Sequence, residues 1–148
     1  METLVKIPHT FLKEEPERED RIYDEAIVDA YGDEEVILSW YYYLEEQLHF
    51  PFTAAVRVHS PGRSPQTIRV DMQAMGPMSR CGYWQMWGLG SPSEQKDDTL
   101  HHFFLSDIME AEADPERLQA LADWNYWRRK QPDEIVRLLA LLLGRRLL

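Results

Sequence analysis

Between Ile22 and Val56 the chain carries eight carboxylates, Asp24, Glu25, Asp29, Asp33, Glu34, Glu35, Glu45 and Glu46, and no lysine or arginine. Such a set suits a hard divalent cation, and calcium above all, since it takes roughly six to eight oxygen ligands at loose geometry. It also suits a basic protein surface. Glu25, Asp29 and Asp33 recur at i, i+4, where like charges on a helix repel by a few tenths of a kcal/mol per pair. Glu34 and Glu35 crowd the same turn, and a bound cation would relieve them all. A solvated helix face explains the same residues, because Asp33, Glu34 and Glu35 stand where any helix N-terminus favours acids. Spacing alone leaves both readings open. An EF-hand is excluded. A twelve-residue loop begun at Asp29 would put Tyr31 at its third position and Trp40 at the bidentate one.

The acids are unevenly placed. Residues 1–56 hold 14 Asp and Glu against four Lys and Arg, while residues 57–148 hold 12 of each, so the whole net charge of −10 belongs to the first part of the chain. That surface repels phosphates, which argues against nucleic-acid binding. Other constellations are weak. His101 and His102 are adjacent in a strand-like stretch and point to opposite faces, so they cannot chelate together. A zinc site drawn from the histidines and Cys81 has no supporting spacing. Cys81 lacks a nucleophile motif, GLGSPS at 88–93 reads as a turn, and no phosphate-binding or nucleophile-elbow signature occurs. The chain is therefore expected not to be an enzyme. With one cysteine, no secretory-type apolar stretch in METLVKIPHTFLKEEPERED and LLALLL (138–143) as the longest apolar run, the expected setting is cytoplasmic, without membrane or nucleic-acid partners.

These residues must be positioned by something, and the periodicity predicts an α+β fold. Ile22, Tyr23, Ala26, Ile27 and Ala30 follow helical spacing after Pro16, with Gly32 as a closing residue. Asp33 would cap a second helix with Val36, Ile37, Trp40, Tyr41, Leu44 and Leu48 as its apolar face, ended by Pro51. Residues 17–48 are thus expected to form an N-terminal antiparallel helical hairpin with a very short Gly-Asp turn. In it Glu45 and Glu46 would approach Asp20 or Asp24. TAAVRVH (53–59), TIRVDMQAM (67–75), CGYWQMWGL (81–89) and TLHHFFL (99–105) are strand candidates, giving a small antiparallel β-sheet or partly closed barrel. C-terminal helices follow, one opened by Asp114-Pro115 and one over 133–148. The expected division is a tail at 1–16, a single domain at 17–128 and a helical extension at 129–148.

The run IVDAYGDEEVILSWYYYLEEQLHFPFTA (27–54) and the later ADWNYW (122–127) resemble the small cyanobacterial calcium-binding protein family, over roughly residues 18–128. WYYYLE followed closely by FPF is an uncommon string, and the two aromatic motifs occur in the family's order. The resemblance implies a compact α+β calcium buffer or sensor without EF-hands. It carries over Asp29, Asp33, Glu34, Glu35, Glu45 and Glu46 as candidate ligands, with Asp123 second to them, since its carboxylate could instead serve its own helix. The alternative is an acidic interaction module that docks a basic partner without metal.

Overall fold

The computed structural model describes residues 3–81 and 85–131. Its centre is a six-stranded sheet of β1 (Leu4–Lys6), β2 (Phe52–Val58), β3 (Gln66–Met75), β4 (Trp87–Pro92), β5 (His101–Phe104) and β6 (Ile108–Glu112). The strand order is β1-β6-β2-β3-β4-β5 and every pairing is antiparallel. The period-2 pattern explains the middle of it. Phe52, Ala54 and Val56 alternate inward on β2, and each lies beside Met72, Val70 or Ile68 of β3. Edge strand β1 pairs with β6, from the far end of the sequence.

The segment GLG is strand, not turn. On β4, a Cβ at Gly88 would stand 2.5 Å from Met72 Cε, and one at Gly90 would stand 2.7 Å from Val70 Cγ1 and 2.9 Å from the Asp71 carbonyl. Glycine is what allows β4 to lie this close to β3 and its side chains.

The helices correct the sequence expectation most. There is no N-terminal helical hairpin. Helix α1 covers only Pro16–Arg21, continues as a wider π-type turn over Ile22–Ala26, and is followed by irregular chain to Gly32. Ile22, Ala26 and Ile27 are buried, and their spacing fits the wider turn as well as a helix. Asp29 then takes a left-handed backbone (φ 55°), which an acid tolerates better than a branched residue does. Gly32 is also left-handed (φ 81°) but opens helix α2, Asp33–Gln47, instead of closing a helix before it. The chain before α2 leaves helical geometry at Asp29 and Gly32, so no regular first arm reaches the turn to pair with it. Helix α2 instead packs on α3 (Pro115–Arg129) through Trp40, Trp124 and Trp127, whose ring centroids lie 5.2–5.7 Å apart. The sheet is open, with β1 and β5 as its two edges, so the barrel alternative is also set aside. The broad α+β class stands.

Helix α3 begins as its sequence dictates: Asp114 caps it by accepting from the Arg117 N–H, and Pro115 occupies the first turn. The second C-terminal helix expected over 133–148 lies outside the described residues. Arg117 is buried and ties α3 to the end of α2. Its guanidinium donates to the carbonyls of Leu48 and His49 at 2.7 Å and of Glu112 at 3.1 Å, over the face of Phe52. The donors to Leu48 and His49 satisfy carbonyls left open at the C-terminal end of α2. No helix among the described residues is long and apolar enough to cross a membrane.

Candidate functional site

Helix α2 presents a stripe along one face. Glu35, Ser39, Tyr42 and Glu46 follow one another at steps of three or four residues, so they share that face. Opposite them runs the irregular segment after α1, which brings Glu25 and Asp29. Together these residues line an open cleft of about 410 Å³, with Val28, Leu38 and Tyr43 also in its walls. The segment is held over the helix by its own backbone: the Tyr31 N–H donates to Glu35 Oε2 at 2.6 Å, and the Ala30 N–H to the Ile27 carbonyl at 3.2 Å. Glu35 therefore both lines the cleft and fastens its rim.

Of the six acids singled out from sequence, Asp29, Glu35 and Glu46 reach this cleft. Asp33, Glu34 and Glu45 do not line it, because the helical rotation carries them off the stripe. Glu25 joins the three instead. The signal was present in its i, i+4 relation to Asp29, although the chain between them is not the regular helix that such spacing suggests.

Asp123 has a different task. It is almost wholly buried, with its side chain 1% exposed. Its Oδ1 accepts from Arg18 Nη1 at 2.7 Å and from Arg21 Nη2 at 2.8 Å, and its Oδ2 accepts from Arg21 Nε at 2.8 Å. This hydrogen bonding, foremost, holds the Arg21 guanidinium still more firmly in its charged form. Both oxygens of Asp123 are thus committed to binding α1 to α3, not turned to the cleft. Lys130 strengthens the same seam through Glu14 and Glu19.

Tyr43 lies between this anchor and the cleft. Burial, aided by the negative Asp123 and Glu25, pushes its phenol up to about 12 from the usual value of about 10. The sign follows directly. The unfolded chain loses the proton first, so stability from this group is complete below pH ~10 and disappears as pH rises toward ~12. Urea unfolding followed across that window should show falling stability in the wild type and a shallower fall in Tyr43→Phe.

The polar side chains around the cleft are carboxylates and hydroxyls, oxygen donors that hard cations such as calcium prefer over nitrogen and sulfur. Among the described residues, no three His, Cys, Asp or Glu side chains converge closely enough to grip an ion. The donor chemistry therefore fits calcium, although the carboxylates as placed stand too far apart to enclose an ion. The histidines are engaged elsewhere. His49 pairs with Asp114 at 3.0 Å, His9 bridges the carbonyls of Ile7 and Ser106, and His101 meets Gln95. Burial raises the Cys81 thiol, which disfavours the reactive thiolate.

The chain is thus an α+β protein whose open antiparallel sheet is joined by an acidic cleft of oxygen donors between α2 and the segment that precedes it. The sequence profile of a calcium-binding family, the CcbP family, matches residues 20–128, and the chain belongs to that family. Among solved structures, it is similar to the crystal structure of Anabaena CcbP at 32% identity and a TM-score of 0.70, covering 78% of this chain and 92% of that one. It is similar also to a calcium-binding protein solved in its calcium-binding form, at 34% identity and a TM-score of 0.69 with the same coverage. No curated protein sequence matches the chain.

Proposed function

We propose that this protein binds calcium reversibly through Glu25, Asp29, Glu35 and Glu46, and acts as a calcium buffer or sensor. Four carboxylates around one cleft, in a stretch of chain with no lysine or arginine from Ile22 to Val56, carry the reading. Family membership supports calcium as the ion. Asp33, Glu34 and Glu45 lie on the same helix and deepen the negative field without entering the site. The exposed cleft and unconverged ligands favour sensor-range affinity, on the order of micromolar, over the tight binding of a preformed cage. Acid weakens the binding, because carboxylates ligate only when deprotonated. The lone cysteine suits a reducing, cytoplasmic setting.

Isothermal titration tests the proposal. Calcium should bind with a dissociation constant on the order of micromolar and magnesium at least about tenfold more weakly, since magnesium demands stricter geometry and gives up water reluctantly. Absence of calcium heat at micromolar protein would overturn the reading.

A further inference from the structure

The cleft is not only acidic. Val28, Leu38 and Tyr42 line it and are 52%, 41% and 54% exposed, and Tyr31 beside them is 77% exposed. Leu38 and Tyr42 stand one turn apart on α2, so they form a continuous apolar step between the carboxylates. Calcium accounts for the acids but gives no reason to hold large apolar side chains in water at the same place. Grouped exposed apolar residues rimmed by charge mark a surface that another chain covers.

The chemistry specifies the occupant. A segment with leucine-like side chains on one face and lysine or arginine beside them would bury the step and neutralise the four acids together. A second copy of this chain would bring the same carboxylates to the same place, and each copy carries a net charge of −10. We propose that the calcium-free cleft docks a basic amphipathic helix of a partner protein, and that calcium displaces it. The displacement half rests on the calcium reading above, because ion and helix compete for Glu25, Asp29, Glu35 and Glu46. Competition makes the linkage negative and reciprocal: the helix weakens calcium binding by the factor by which calcium weakens the helix.

Fluorescence anisotropy of a labelled peptide tests this with the full chain. The probe is a designed helix of about 16 residues of Leu, Ala and Lys, with leucines at i, i+3, i+4 and i+7, and its scrambled isomer is the control. In EGTA the patterned peptide should bind at least about tenfold more tightly than the scramble, and saturating calcium should weaken it by at least about tenfold. The double variant Val28→Ser with Leu38→Ser should lose about tenfold in affinity for the patterned peptide in EGTA and leave binding of the scramble as it was. Equal binding of the scramble, or binding indifferent to calcium, overturns the proposal. So does absence of binding, whether nothing docks or residues 132–148 of the chain itself already fill the cleft. A dimer in EGTA that calcium dissociates would assign the face to a second copy instead. Calcium titration without peptide separates the two ideas: a silent titration sinks the calcium reading, while peptide binding in EGTA is judged independently.

Discussion

Replacing Asp123 by alanine should cost about 3 kcal/mol of stability, because it takes the shared, buried partner from two arginines whose side chains are only 18% and 23% exposed. Against a total of roughly 5–15 kcal/mol for an ordinary domain, that loss lowers the unfolding midpoint sharply. Asp123 takes hydrogen bonds from Arg18 and Arg21 on both oxygens, and Arg18 also contacts Glu15 and the face of Phe11. Removing the carboxylate frees α1, which leads directly into the segment that carries Glu25 and Asp29. Urea unfolding measures the loss. Combining Asp123→Leu with Arg18→Met and Arg21→Leu should recover part of it, since an apolar seam replaces the unpaired charges. A role as a calcium ligand would give the opposite pattern, with stability intact in EGTA and calcium binding lost.

The second large effect is on calcium itself. Changing Glu25, Glu35 and Glu46 to glutamine together with Asp29→Asn should weaken calcium binding by at least about a hundredfold, because each amide keeps a neutral oxygen but removes a charge. Asparagine is the right partner for Asp29, since it tolerates the left-handed backbone there. The same variant should be no less stable in EGTA, because like-charge repulsion across the cleft is relieved. The opposing control is Asp33→Asn with Glu34→Gln and Glu45→Gln. It removes three charges from the same helix but none from the cleft, and should change calcium affinity by about threefold or less, through the long-range field alone. Equal losses in both variants would mean that bulk charge, not the cleft, holds the ion.

The contrast between those two sets shows what a linear reading can and cannot supply. Composition marks all of these acids alike. Only the rotation of α2 separates Glu35 and Glu46, on the stripe with Ser39 and Tyr42, from Asp33, Glu34 and Glu45 off it. Helix α3 was legible because Asp114 and Pro115 punctuate it locally, and β2 and β3 because apolar residues alternate along them. The break after Arg21 was not. Ile22, Ala26 and Ile27 satisfy a π-type turn and a helix almost equally, and the tie is settled by which partner α2 packs against. Strands β1 and β6 are short, and their pairing joins distant parts of the chain, so no local pattern announces it. The same holds for Asp123, whose partners Arg18 and Arg21 lie more than a hundred residues earlier in the sequence.

A crystal grown in calcium tests the central claim most directly, with the ion located by its anomalous scattering. A calcium ion should lie between the segment that bears Glu25 and Asp29 and the stripe of α2 that bears Glu35 and Glu46. Their carboxylate oxygens should be turned inward to about 2.3–2.6 Å from the ion. Calcium elsewhere, for example against Asp71 and Glu112 on the sheet, with the cleft carboxylates still apart, would contradict it.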